Sequence, residues 1–287
     1  MARYSNLVKP RSPQLLHLQV LRSRQLSPHW MRVTLGGGEI DRFEAMGFDQ
    51  WFRIFLPLGG DEGLERIPAK ANKLFGYLKY LRIPEGVRPV MRNYTVRAFR
   101  PATAEAGAEI DVDFVLHGTG PTAGPASRWA AAAEPGESVV IIDEGLGFNP
   151  ARGTARVVLV ADETGAPAVA GVCASLPASA TGIVLIEAPS AEDVLPVDAP
   201  AGVEVRWLVR DAQTPGSLAL AALQELPVET AGTHYFIVGE QSLPTSARRH
   251  LVAGGVDKSV ISFVGYWRVG AASPAPKSQQ AQQGAQA

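Results

Sequence analysis

Arg92, Tyr94 and Thr95 stand within the run Arg92-Asn93-Tyr94-Thr95-Val96-Arg97 and bring three useful chemistries to one short segment. Side chains alternate along an extended strand, so Arg92, Tyr94 and Val96 share one face and Thr95 and Arg97 the other. An arginine pairs with phosphate, a ring stacks on a flat heterocycle, and a hydroxyl bonds a ring heteroatom. Together they describe a nucleotide-cofactor site. Taken alone, Arg-x-Tyr-Thr equally fits an ordinary strand, so the reading depends on two further segments.

The first is His117-Gly118 followed by Gly124-Pro125-Ala126-Ser127-Arg128-Trp129-Ala130. A strand ends at His117, a glycine-rich loop follows, and residues 126–133 fit a helix. N–H groups at a helix N-terminus favour phosphate, Gly124 allows close backbone approach, and Ser127 adds a hydroxyl. A capped helix without ligand is the alternative. The second is Asp162-Glu163-Thr164-Gly165-Ala166-Pro167-Ala168, which follows a short buried-type strand. A loop at the carboxyl end of a parallel strand is where open α/β sheets bind ligands. Pro167 suits an early helical position, and Thr164 or Asp162 can cap the helix. The near match to G-x-G-x-x-G at Gly145-Leu146-Gly147 runs into Pro150 and carries no weight.

These segments need two kinds of scaffold. Residues 15–20, 30–35, 51–56, 93–99, 110–116 and 139–142 are apolar, branched-rich runs, mostly separated by Gly, Pro and Asp clusters. Six such strands without long helices predict an antiparallel barrel or sandwich. After Pro150, strands over 157–160, 183–186, 203–209, 235–238 and 260–264 alternate with helices over 166–176, 218–226 and 245–253. That alternation predicts an open, mainly parallel sheet covered on both faces. Two domains follow, 1–150 and 151–270, with a boundary near 149–154. The Ala/Gln/Pro/Ser-rich residues 271–287 are expected to be a disordered tail.

Residues 59–90 fit neither pattern. Arg66, Lys70, Lys73, Lys79, Arg82 and Arg88 outnumber Asp61, Glu62, Glu65 and Glu85, with Phe75, Tyr77 and Tyr80 interleaved. This reads either as a solvated amphipathic helix or as a lid or anion-docking insertion.

Bulk composition narrows the function. A formal net charge of -1 leaves no basic field for nucleic acid. The single cysteine, Cys173, excludes a disulfide framework and a cysteine-held metal cluster. The histidines His17, His29, His117, His234 and His250 show no ligand spacing, so no protein-bound metal is expected. No secretory apolar core and no membrane-length apolar run is present, which predicts a soluble, cytoplasmic protein without membrane insertion, taken as a monomer.

Arg92-x-Tyr94-Thr95-x-Arg97, His117-Gly118 with GPASRWA, DETGAPA, Val238-Gly239-Glu240 and Gly265-Tyr266-Trp267-Arg268 occur in one order. The set, spanning residues 15–270, resembles the siderophore-interacting protein family, FAD-binding ferric-siderophore reductases of the ferredoxin-reductase superfamily. The resemblance implies a six-stranded Greek-key FAD barrel followed by an NAD(P)H-type α/β domain. It implies that Arg92 contacts the FAD pyrophosphate, with Tyr94 stacking on the isoalloxazine and Thr95 near its reactive N5 as the catalytic pair. Gly124, Ala126 and Ser127 would hold the pyrophosphate, and His117 and Gly118 would line the flavin. Trp267, with Tyr266 and Arg268, would close over the cleft. Thr164, Gly165 and Glu240 would meet a nicotinamide nucleotide, and Arg248, beside Arg249, its 2′-phosphate. The ferric siderophore, commonly anionic, would be held by Lys70, Lys73, Arg82, Arg97 and Arg268, with Lys79 nearby.

Three departures accompany the match. The loop between Gly118 and Gly124 is longer than the family's usual one. The superfamily Thr-Gly-x-x-Pro loop is shortened to Thr164-Gly165-Ala166-Pro167. Val238-Gly239-Glu240 replaces a Cys-Gly dipeptide. NADH, NADPH and reduced ferredoxin therefore all stay open as donor. The other readings are a general NAD(P)H:flavin or ferredoxin-type reductase and a non-catalytic siderophore carrier with structural FAD.

Overall fold

The structure is a computed structural model that describes residues 7–11, 13–57, 60–69, 71, 74–118, 123–151 and 153–270. Lys70, Lys73 and the tail 271–287 lie outside the described residues.

Seven strands form the first sheet: β1 (Leu15–Ser27), β2 (Trp30–Gly36), β3 (Trp51–Leu56), β4 (Val90–Thr95), β5 (Ala98–Arg100), β6 (Glu109–Val115) and β7 (Ser138–Gly145). The order is β4-β3-β7-β1-β2-β6-β5, with antiparallel pairings throughout. The count of six is corrected to seven because the run 93–99 breaks at Val96–Arg97. Val96 N–H bonds the Gln50 carbonyl, whereas Arg97 N–H bonds the Asp111 carbonyl, so the chain changes partner between adjacent residues. β4 and β5 are opposite ends of the sheet order yet only two residues apart, so the sheet must curl and close on itself. β7 returns to lie beside β3, which gives a Greek-key order when β4 and β5 are taken as one broken strand.

Inward residues of these strands, including Leu18, Val33, Ile54, Val112 and Ile141, fill one core. α3 (Pro125–Ala132) closes it with Ala126, Ala130 and Trp129. Between β3 and β4 lie α1 (Glu62–Glu65) and α2 (Leu74–Leu81). Tyr80 and Ile83 pack there on Phe55 and Val140 of the outer barrel wall.

The second sheet is parallel, with order β10-β9-β8-β11-β12. Its elements are β8 (Arg156–Ala161), α4 (Ala166–Ser175), β9 (Thr181–Ala188), β10 (Gly202–Val209), α5 (Ser217–Glu225), β11 (Thr233–Glu240), α6 (Ser242–Ala253) and β12 (Ile261–Trp267). The order reverses between β8 and β11, so their carboxyl ends flank a topological switch point, the usual ligand crevice of such sheets. Alternate strand residues face opposite sides: Val158, Val160 and Ile237 meet α5 and α6, while Val157, Leu159 and Phe236 meet α4.

α4 is buried from Ala166 to Cys173 because it lies between sheet and barrel. Its Ala- and Gly-rich sequence permits that double contact. Trp30 and Phe148 join the α4 cluster, and Phe148 meets Phe236 edge-on at 5.7 Å. A shared apolar core therefore sets the two sheets against each other.

Candidate active site

β4 positions the opening motif. Arg92 lies opposite Ile54 and Tyr94 opposite Phe52, both core residues of the barrel. Tyr94 rests on Phe114 with ring centroids 4.1 Å apart, and Phe114 meets Trp129 of α3 at 5.5 Å. Three rings thus bridge β4, β6 and α3. Burial pushes the Tyr94 phenol up, so it stays protonated. Thr95 is buried and pairs with Trp51 at the start of β3.

Arg92 is partly buried, and its guanidinium donates to the Met91 carbonyl at 2.8 Å. Burial lowers its pKa, opposed by the Tyr94 and Tyr80 phenols rather than by any carboxylate. A desolvated cation without a counter-charge is costly and is relieved by an anion from outside.

α3 begins beside this strand. Its N-cap is Gly124, Pro125 occupies the first turn, and among the described residues no side chain caps the N-terminus. Gly118, at φ 70°, turns the chain after β6. His117 N–H donates to Ser127 Oγ at 3.2 Å, and a Cβ on Gly124 would stand 2.8 Å from His117 Cε1. His117, Gly124 and Ser127 therefore meet, with residues 119–122 outside the described set.

The carboxyl edge of the parallel sheet contrasts with α3. Asp162, fully buried at the end of β8, accepts through Oδ1 from Thr164 N–H at 2.9 Å, Thr164 Oγ1 at 2.6 Å and Gly165 N–H at 3.3 Å. Its Oδ2 accepts from Glu240 N–H at 2.6 Å and Trp267 Nε1 at 3.0 Å. Burial, with the charge of Glu163, pushes the Asp162 carboxyl up to about 6. Glu187 accepts from Gly216, Leu218 and Ala219 N–H at the start of α5, at 2.8, 2.9 and 3.1 Å. Glu240 accepts from Ser242 N–H at 2.6 Å and from the Ser242 hydroxyl at the start of α6. Each helix start on this edge thus meets an internal carboxylate, whereas among the described residues α3 meets none.

The remaining candidates are spread out. A Cβ on buried Gly165 would come 2.6 Å from Val238 Cγ2, so close packing alone already requires glycine there. Arg248 lies over the Phe263 ring at 5.0 Å. Arg97 lies apart from Arg92, 3.8 Å from Asp113, in a cleft of about 350 Å³ lined by Arg24, Arg32, Pro167 and Trp207. Burial lowers the Arg97 pKa. Arg82 and Arg268 are exposed.

Sequence reasoning missed two arrangements. Arg210 sits between Glu163 at 2.6 Å and Glu187 at 2.9 Å, joining three strand ends. Buried Asp193 accepts from Ser27 Oγ at 2.6 Å, His29 N–H at 3.1 Å and Ser190 Oγ at 2.7 Å, and pairs with His29 Nδ1 at 2.7 Å. That clasp joins the β1–β2 turn to the turn after β9. An acidic residue at or just past each of β8, β9 and β11 was the available signal for the capped edge.

Two family models match the chain: a siderophore-interacting FAD-binding domain over residues 19–146 and siderophore-interacting protein over 154–270. Ferric vibriobactin reductase ViuB of Vibrio cholerae is 27% identical over 93% of this chain and 93% of its own length. The NADPH-dependent ferric-chelate reductase of Escherichia coli is 26% identical over 90% of this chain and 97% of its own. The crystal structure of the siderophore-interacting protein SipS from Aeromonas hydrophila superposes with a TM-score of 0.73 at 30% identity, covering 95% of this chain and 98% of that one. With both family models matched along most of its length, the chain belongs to the siderophore-interacting protein family.

Proposed function

We propose that this chain is an FAD-dependent ferric-siderophore reductase, taking electrons from a nicotinamide dinucleotide or reduced ferredoxin and releasing Fe(II) from an Fe(III)-siderophore in the cytoplasm. The coarser statement, that it is a flavin-dependent oxidoreductase, is supported by the FAD-binding family model and by ferric reductases among its relatives. The observation that carries the reading is the placement of Arg92, a partly buried guanidinium whose partner among the described residues is the Met91 carbonyl, on the strand that α3 covers through Trp129, Phe114 and Tyr94.

The residues present fit FAD. Arg92, Gly124, Ala126 and Ser127 would hold its pyrophosphate, Tyr94 and Thr95 would seat its ring, His117 and Gly118 would line it, and Trp267 would close the α/β side. Bound FAD supplies exchange between two-electron and one-electron chemistry. Reduction of the iron weakens its hard oxygen ligation, so the chelate lets go. Residues 1–150 would serve the flavin and 151–270 the donor. Thr164, Gly165 and Glu240 are engaged internally through Asp162 and the α6 cap, so dinucleotide phosphates would fall to side chains such as Arg248. Arg97 in its cleft, with Arg82, Arg268, Lys70 and Lys73, would receive the anionic chelate.

The test uses the yellow, flavin-loaded protein, photoreduced without oxygen and mixed with a ferric siderophore. Reoxidation of the flavin with Fe(II) trapped above the protein-free control is expected. Trapped Fe(II) equal to that control refutes the reductase reading and leaves a carrier. Bleaching by NADH, NADPH or reduced ferredoxin separates the donors.

A further inference from the structure

α2 is apolar on two sides. Its inner side is accounted for: Tyr80 packs edge-on against Phe55 at 5.6 Å and donates to the Pro89 carbonyl at 2.8 Å, with Tyr77 and Ile83 in the same cluster. Its outer side is bare. Phe75 is 80% exposed, Leu78 44% and Leu81 41%. At about 100° per residue these three fall within about one third of the helix circumference, with Arg82 among them and Lys79 at the edge. Lys79 and Arg82 are exposed and, among the described residues, form no ion pair, unlike Arg66 with Glu62 and Arg88 with Glu85. Residues 74–84 contain no carboxylate.

We propose that α2 docks this protein onto the surface of an anionic phospholipid bilayer. Apolar side chains rimmed by cations are what such a surface takes up: the chains enter the acyl boundary and the cations stay level with lipid phosphates. Three side chains fall far short of the roughly 20–30 residues a side of a stable protein interface, which disfavours a second copy as occupant. The whole chain carries a net charge of -1, so attraction to anionic lipid would come from this local arrangement rather than from bulk charge. Docking of this kind lies on the bilayer without crossing it; it would give Arg82 to lipid phosphates rather than to the chelate, and vesicle binding is read without any redox step.

The experiment sediments the full, flavin-loaded chain with phosphatidylcholine vesicles, with or without phosphatidylglycerol. Binding only to the vesicles with phosphatidylglycerol is expected. Phe75→Glu with Leu78→Glu should lower the bound fraction about tenfold with flavin content retained, and Lys79→Glu should lower it less. The proposal is overturned if the wild-type chain stays in the supernatant with both vesicles, or binds both equally. It is also overturned if the double variant binds like wild type, or abolishes a self-association seen without vesicle binding.

Discussion

Trp267 Nε1 donates to Asp162 Oδ2 at 3.0 Å, tying the last strand to the turn after the first strand of the parallel sheet. The acceptor is fully buried and also receives Glu240 N–H, so one carboxylate holds β8, β11 and β12 together at the switch point. Asp162 thus holds Trp267 and the Thr164 turn to one acceptor.

That carboxylate gives a pH prediction. Its folded value of about 6 lies above its ordinary value of 3.8, so the folded state keeps the proton that the unfolded chain releases between those pH values. Stability from this group is therefore full below about pH 4 and falls as pH rises through about 6. Asp162→Asn removes that fall. Urea unfolding of both proteins from pH 4 to 8 should show the wild-type stability declining relative to the variant as pH rises. A difference independent of pH means that Asp162 is ionised throughout.

Arg92→Ala should weaken FAD by about 1.5–3 kcal/mol, which is roughly ten- to a hundredfold in affinity. The variant should remain folded, because this guanidinium meets a neighbouring carbonyl and, among the described residues, no carboxylate partner would be orphaned. Arg92→Lys should recover part of the loss as a point charge without the planar fork. Flavin content after gel filtration and titration of apoprotein with FAD give the answer. Wild-type FAD affinity in Arg92→Ala would remove Arg92 from the pyrophosphate site.

How much of this was legible beforehand depended on whether local chemistry or neighbours decided each feature. Residues 30–35 and 51–56 are apolar strands, and β2 and β3 match them almost residue for residue. The polar half of β1, Arg22 to Ser27, was invisible to hydrophobic pattern because it is mostly solvent-facing and held as strand by pairing with β2. The break at Val96–Arg97 was equally hidden, since both residues suit a strand and the change comes from acceptors at Gln50 and Asp111. Within the site, His117, Gly124 and Ser127 are close in sequence and could be grouped from their spacing. Asp162 could be read as a local cap, but its bonds to Glu240 and Trp267 and the reach of Glu187 to α5 could not, because they depend on which elements lie side by side. Strand alternation already set Arg97 on the face opposite Arg92; what it did not show is the partner change between them, which leaves Arg97 in a separate cleft beside Asp113.

Asp193→Ala should loosen the join between barrel and parallel sheet. Ser27, Ser190 and the His29 main chain would all lose their acceptor at a buried point, a cost on the order of 3 kcal/mol. The expected signature is a lower melting temperature, with hydrogen exchange rising first at the β1–β2 turn and the turn after β9. Exchange rising uniformly, or only in α5 and α6, would show that the clasp does not govern this join.

The other side of the join rests on Phe48, which holds φ 49° although it is not glycine. Its N–H donates to Ser175 Oγ at 2.7 Å, and Ser175 in turn donates to the Gly171 carbonyl at 2.9 Å. The Phe48 carbonyl lies so close to α4 that a Cβ on Gly171 would stand 2.3 Å from it. Backbone on both sides leaves no flexible side chain to give way, so Gly171→Ala must push α4 off the barrel loop at about 1–3 kcal/mol. Ser175→Ala removes only the hydrogen bond that holds Phe48, at about 1 kcal/mol. Chemical unfolding should therefore rank Gly171→Ala as the more damaging change. Because α4 sets the spacing between barrel and parallel sheet, Gly171→Ala should also slow reduction of the flavin by its donor while leaving FAD affinity near wild type. Equal stability for the two variants would mean that α4 has room to shift and that the contact at Phe48 does not set the spacing between barrel and sheet.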